Sequence, residues 1–290
     1  MVKRALKEGH HTVVLSRKPY FFRSITDKNL QAEFWDGKTI GNWVDHLRDA
    51  DAVVNLAGES IAEKPWKLER KFLIKSSRID ATRILVHAIT RCMTRPKVLV
   101  NGSAVGFYGS VPEGEVTEAH SKGKGFLSDV CDDWEAEANK AKELGVRVVL
   151  LRTGVVMEKS GGALKKFVTP FRFFMGGPLG SGRQWFPWVH REDVVGAIFY
   201  AIQNEVLSGP INAVAPESVT MTQFCRALGK AMKRPSRLPV PAFALRMILG
   251  EMSDMLLTGQ RAVPQRLQQA GYIFRYPRLE QALQGIFWSV

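Results

Sequence analysis

Apolar and polar positions in this chain alternate between two periods, and the switches mark its elements. Met1 to Gly9 reads as the end of an amphipathic helix closed by a glycine. His11-Thr-Val-Val-Leu15 is a β-branched run that leaves through the polar turn Ser16-Arg17-Lys18-Pro19. Ala52-Val-Val-Asn-Leu56 is a second short apolar run, ending in Ala57-Gly58-Glu59. From Lys67 to Arg91 the apolar residues Phe72, Ile79, Ile84, Leu85 and Ala88 predict one long helix. Lys97-Val-Leu-Val-Asn101 is a continuous apolar strand, Ser128 to Glu143 a helix closed by Gly145, and Val146-Arg-Val-Val-Leu-Leu151 the next strand. Unbroken apolar strands alternating with helices predict an α/β fold, a doubly wound parallel sheet covered on both faces.

After Gly154 the pattern loosens. Gly161-Gly162, Gly176-Gly177-Pro178 and Gly180-Ser-Gly182 punctuate an aromatic-rich stretch running to Trp188, followed by a helix from about Asp193 to Gln203. Beyond Pro210, Pro, Met and Arg become frequent and two or three helices are expected. The chain therefore divides into a dinucleotide-binding unit over 1–209 and a smaller, mainly helical C-terminal lobe over 210–290, packed across the carboxyl edge of the sheet. Leu238 to Leu257 is interrupted by Arg246, Glu251 and Asp254, so it reads as an amphipathic or buried helix and not as a membrane span.

In a Rossmann unit the residue that meets the adenosine ribose lies at the end of the second strand, about 20 residues after the glycine-rich loop. Counting back from Arg17 puts that loop before Met1. The expectation is a Rossmann-type sheet entered at its first helix, without its first strand and glycine-rich loop, and so with unpaired backbone along the opened edges.

Composition narrows the function classes. Lys and Arg number 41 against 28 Asp and Glu, a net charge of +13, yet the cations are spread along the chain and never interleave with aromatics in a run. That distribution argues against nucleic acid and leaves acidic proteins, anionic surfaces or phosphorylated small molecules. The three cysteines form no CxxC pair and the six histidines no HxxxH or HxH spacing, which excludes a zinc module and points to a reducing, intracellular compartment, cytoplasmic or mitochondrial matrix.

Strand ends carry the candidate chemistry. Ser16, Arg17 and Lys18 stand where NAD sites place an acid for the ribose hydroxyls; a cation there pairs instead with a 2′-phosphate. This reads as NADP(H) preference, against the plain alternative of a solvated basic turn. Asn55, Leu56, Ala57 and Gly58 leave the next strand through small residues that let a cofactor approach the backbone. Ser103 and Tyr108 offer hydroxyls after a third strand; a tyrosine acts as a general acid only beside a cation that lowers its pKa, and packing in the loop is the plainer role. Gly176 to Trp188 has the glycines to cradle an anion with Arg183 beside it, but it lacks the GK[ST] of a phosphate-binding loop. With Trp185 and Trp188 so near, it reads as a mobile, substrate-side loop.

Taken in order, Asn55-Leu-Ala-Gly-Glu-Ser60, Ser77-Arg78, Leu151-Arg-Thr-Gly-Val-Val156, Gly177 to Arg183, Phe186-Pro-Trp-Val-His190, Asn212-Ala-Val-Ala-Pro216, Gly250-Glu-Met and Gln260-Arg-Ala-Val-Pro-Gln265 resemble the epimerase-like atypical short-chain dehydrogenase/reductase family, its short C-terminal domain included. The resemblance implies an extended Rossmann fold that binds NADP(H). It puts Ser16 and Arg17 at the 2′-phosphate, Leu56 and Ala57 beside the adenine, Arg78 against the cofactor from its helix, and Val156, with Gly154, near the nicotinamide. Arg183, Trp185 and His190 fall on the substrate side.

The chain departs from that pattern at the Tyr-xxx-Lys pair of catalytic short-chain dehydrogenases. Aligned on Trp134-Glu135, Leu127 takes the tyrosine position and Cys131 the lysine position, and neither can act as the acid or lower its pKa. Two readings stand. One is an NADP(H)-dependent oxidoreductase or epimerase-like enzyme of unspecified small substrate, with Ser103 or Tyr108 as substitute proton carriers. The other is a catalytically silent NADP(H)-binding subunit of a larger protein complex.

Overall fold

The computed structural model describes residues 1–159 and 161–288. Helix α1 (Val2–Lys7) leads into strand β1 (Thr12–Ser16), which pairs in parallel with β2 (Leu30–Phe34). Strand β3 (Ala52–Asn55), helix α2 (Leu68–Thr90) and strand β4 (Val98–Ala104) form a parallel crossover unit. A short strand β5 (Val111–Val116), helix α3 (Phe126–Asn139) and strand β6 (Arg147–Thr153) repeat it. The left-handed Gly145 (φ +78°) turns the chain from the 3₁₀ turn after α3 into β6, a conformation that costs glycine nothing.

Next come β7 (Val155–Met157), α4 (Gly162–Arg172), β8 (Trp188–His190), α5 (Arg191–Gln203) and β9 (Gly209–Ala213). Strands β3, β4, β6 and β9 form one parallel sheet in the order β3-β4-β6-β9, while β1 and β2 form a separate one. Among the described residues no strand pairs with the second edge of β1 or with the outer edge of β3. Every residue of β1, and Ala52 to Val54 of β3, is accordingly only half-buried.

Alternation along the central strands explains the two covered faces. Leu99 on β4 with Val148 and Leu150 on β6 packs under α2 and α3 against Leu85, Ala88, Ile89 and Ala138. The intervening Val98, Val100, Val149 and Leu151 face α5 and the later α9 (Gln265–Gln269), meeting Ala197, Ile198 and Leu267. Each strand is apolar on both sides, which is why its sequence shows no period of two. On α2 the sequence reading needs one correction. Phe72 is 70% exposed, because the helix turns its buried stripe through Ile74, Ile79, Leu85 and Ile89 instead.

The C-terminal lobe holds more helix than expected: α6 (Met221–Met232), α7 (Ala242–Leu249), α8 (Asp254–Leu257), α9 and α10 (Leu279–Trp288), with β10 (Gln260–Ala262) pairing β5. Its core joins Phe171, Phe186, Trp188, Phe224, Leu228, Leu283 and Ile286. Strand β9 straddles position 209/210 and is built into the main sheet, since Pro210 to Ala213 pair with Leu150 to Thr153. The segment 238–257 breaks into α7, a 3₁₀ turn and α8, and no helix among the described residues is long and apolar enough to cross a membrane.

The loop 176–188 is pinned rather than loose. Gly177 lies so close to the Leu238 backbone that no side chain fits, Gly182 faces Thr222 and Gly259 abuts the Trp185 carbonyl. Bridges Leu179–Val240 and Trp185–Thr220 tie the loop to the C-terminal lobe. Its glycines serve close backbone packing. Phe224, fully buried and with its ring 4.2 Å from Phe186 and 5.0 Å from Phe167, anchors this lobe. Phe224→Ala is expected to cost about 3–5 kcal/mol, measured as a lower urea midpoint with an unchanged slope.

Candidate functional site

Because β3, β4, β6 and β9 run parallel, their carboxyl ends share one edge of the sheet, and loops leaving that edge carry the predicted residues. Asn55 ends β3 with its side chain buried. Its amide donates to Thr82 Oγ1 (2.9 Å) and Asn101 Oδ1 (2.7 Å), and its carbonyl accepts from the Ala57 N–H (3.2 Å). Trp134 Nε1 closes the cluster on Thr82. Asn55 therefore fixes the turn from inside, leaving Leu56 52% exposed at its tip.

Gly58 lies under the Arg78 guanidinium, where even a methyl group would sit 3.0 Å from its central carbon. Arg78 donates to the carbonyls of Ile74 and Glu59 (both 2.9 Å) and stacks 5.3 Å from Trp134. Its present partners are thus the loop backbone and its own helix. Across this loop Arg17 extends from the end of β1 and pairs with Glu59 (2.9 Å), linking the two parallel sheets. Lys18 is exposed, its N–H bonded to Ser16 Oγ (3.1 Å). The structure so gathers Ser16, Arg17, Lys18, Leu56, Ala57, Gly58 and Arg78 into one neighbourhood.

Gly154 and Val156 lie past the end of β6, at the turn into β7 and on β7 itself. Gly154 admits no side chain because one would come within 2.7 Å of the Pro187 carbonyl, where β7 meets the approach to β8. Arg183 is exposed on the pinned loop, while Trp185 donates to the Pro112 carbonyl (3.2 Å) and lies under Arg261. His190 is buried, its ring 3.9 Å from Tyr276, and it caps α5 by accepting from the Glu192 N–H (3.2 Å). Burial lowers its pKa below the ordinary 6.5, more than Glu192 raises it.

Ser103 and Tyr108 belong to a buried network that sequence reasoning missed. Arg152 on β6 makes a two-pronged pair with Glu135 on α3 (2.8 Å to each oxygen), and the same carboxylate accepts from Ser103 Oγ (2.6 Å). The guanidinium stacks 3.5 Å from Phe107 and donates to Tyr108 Oη (3.0 Å), which donates in turn to Asn212 on β9 (2.7 Å). Asn212 continues to Glu118, Val116 and Val263. Burial pushes the Tyr108 hydroxyl up to about 12 against the pull of Arg152. Cys131, also buried, is pushed up to about 11, chiefly by burial and then by Glu135. Both groups stay neutral and locked. The sequence signal for this network was Arg152, a charge that follows the apolar run of β6; Glu135 sits among the other acids of α3 and does not stand out.

Strand ends, crossovers and a cation at the end of β1 define a Rossmann-type dinucleotide-binding protein. Residues 1–213 match the NAD dependent epimerase/dehydratase family, to which the chain belongs, and residues 240–286 match a domain of unknown function (DUF1731). The chain is 40% identical, over 99% of its length and 82% of the relative's, to the Epimerase family protein SDR39U1 homolog, chloroplastic, of Arabidopsis thaliana. It is 39% identical to Epimerase family protein YfhF of Bacillus subtilis, over 97% of this chain and 91% of that one. The crystal structure of human epimerase family protein SDR39U1 (isoform2) with NADPH superposes with a TM-score of 0.85 at 31% identity, covering 100% of this chain and 95% of that one.

Two outcomes follow from this geometry. Arg152→Met leaves Glu135 buried without its partner and is expected to cost about 3–5 kcal/mol in chemical denaturation, part of which the added change Glu135→Leu recovers. His190 is neutral in the fold with a depressed pKa, so its contribution is complete above about pH 6.5 and declines as pH falls toward the folded value. Thermal melts between pH 7.5 and 5 are expected to show a shallower acid slope for His190→Gln than for the parent.

Proposed function

We propose that this chain is an atypical short-chain dehydrogenase/reductase that binds NADP(H), with the 2′-phosphate at Ser16, Arg17 and Lys18. Leu56 and Ala57 lie against the adenine and Asn55 and Gly58 shape the turn below it, while Arg78 and the Gly154–Val156 segment face the rest of the cofactor. One observation carries the reading: the turn after β1 offers two cations and no acid, beside an exposed leucine on a small-residue turn. That donor set fits a 2′-phosphorylated adenosine. The human relative crystallised with NADPH supports the same choice.

Bound NADPH supplies a hydride, and the chain's own residues bear on the proton that must accompany it. Leu127 and Cys131 flank Gly106, where a methyl group would lie 3.3 Å from Leu127 Cβ and 3.9 Å from Cys131 Sγ. No acid–base pair stands there. Ser103 and Tyr108, the substitute candidates, already spend their hydroxyls on Glu135 and Asn212. This favours the second reading, a cofactor-binding subunit of a protein complex, over an oxidoreductase or epimerase acting on a small molecule through Arg183, Trp185 and His190.

Arg17→Glu is expected to weaken NADPH about tenfold or more while leaving NADH nearly unchanged, in fluorescence titration. Equal losses for both nucleotides would sink the phosphate assignment. NADPH oxidation by the untagged chain in a carbonyl-substrate screen would restore the enzyme reading, and a stable complex holding NADPH without turnover would support the subunit.

A further inference from the structure

Glu59 lies four residues past the end of β3 in the middle of three guanidinium groups. Its carboxylate spans Arg17 on one side (Oε1, 2.9 Å) and Arg70 of α2 on the other (Oε2, 3.4 Å). Its backbone is held independently, the N–H donating to Ser77 Oγ (3.0 Å) and the carbonyl accepting from Arg78 (2.9 Å). Loop position therefore does not depend on where the carboxylate points. Arg70 is well covered, its side chain 12% exposed, and its Nε is buried with no hydrogen-bond partner. Its Nη2 is engaged elsewhere, donating to the Ser60 carbonyl and pairing with Glu63 (3.7 Å). Glu59 thus has two guanidinium partners, Arg17 and Arg70, and touches both at once.

We infer that Glu59 is an internal competitor for the phosphate: its carboxylate holds Arg17 until a 2′-phosphate takes that guanidinium, and then stays on Arg70 alone. The inference rests on the NADP(H) reading above and adds a residue that sets specificity. A dianionic phosphate outcompetes one carboxylate for Arg17, and the displaced carboxylate keeps its contact with Arg70. A ribose hydroxyl offers Arg17 no such exchange, so a nucleotide without the 2′-phosphate leaves the Arg17–Glu59 pair closed. The arrangement keeps a net positive charge, since three guanidiniums against the carboxylates of Glu59 and Glu63 stay attractive to an anion after the pair forms.

Binding of NADPH and NADH to the full chain tests this, by titration at fixed salt in the parent, Glu59→Gln, Glu59→Asp, Arg17→Gln and the double variant Glu59→Gln/Arg17→Gln. The expected result is NADPH tighter by about two- to fivefold in Glu59→Gln, the scale of a half-exposed ion pair, with a smaller gain in Glu59→Asp, whose carboxylate is one methylene short of Arg17. NADH stays unchanged, and the gain in NADPH disappears in the Arg17→Gln background. Equal tightening of both nucleotides, or a gain that persists without Arg17, would reflect only the lost negative charge and overturns the inference. Unchanged NADPH affinity in a parent that binds it overturns the competitor and leaves the cofactor reading standing. Absence of NADPH binding in parent and Glu59→Gln alike overturns both, and binding by Glu59→Gln alone supports both.

Discussion

The buried pair between Arg152 and Glu135 is the interaction on which the arrangement of this molecule depends. A guanidinium inside a parallel sheet is admissible only with its charge matched and its donors filled. Glu135 supplies two acceptors, the Tyr108 hydroxyl and the Glu118 carbonyl further ones, and the Phe107 ring a face. Meeting those demands brings β6, α3, the loop after β4 and, through Asn212, the strand β9 to fixed distances. The carboxyl edge of the sheet is therefore rigid beneath its loops.

That rigidity decides what the edge can do. Hydroxyls that a sequence reading offers as proton carriers are here the joints of the network, and burial keeps Tyr108 and Cys131 neutral. The opposite holds a few residues away. Arg17 is 67% exposed, Leu56 and Lys18 face outward, and the ion pair with Glu59 is a surface contact with an alternative partner at hand. Stiff chemistry lies inside and exchangeable charge outside, the distribution that the proposed phosphate site requires.

The glycine-rich stretch 176–188 shows how the same sequence signal serves different physics. Glycine marks places where backbone must approach something closely, and sequence cannot say what. Here the neighbours are Leu238, Thr222 and, reciprocally at Gly259, Trp185, so the closeness joins the two parts of the chain.

Much of the fold was legible in the sequence because its signals are local. Continuous apolar runs such as Val98–Val100 and Val148–Leu151, and the helix-closing Gly145, depend on residues next to one another, and they specified a parallel sheet with two covered faces. The basic turn Ser16-Arg17-Lys18 was legible for the same reason. Tertiary structure alone decided the rest. Phe72 faces outward because α2 is rotated by its packing on Leu99 and Val148, which no periodicity within the helix reveals. Glu135, Arg152 and Asn212 come from elements 17 to 77 positions apart, and Glu59 meets Arg17 across two separate sheets. A charge is written in the sequence, whereas its partner is set by which strands lie side by side.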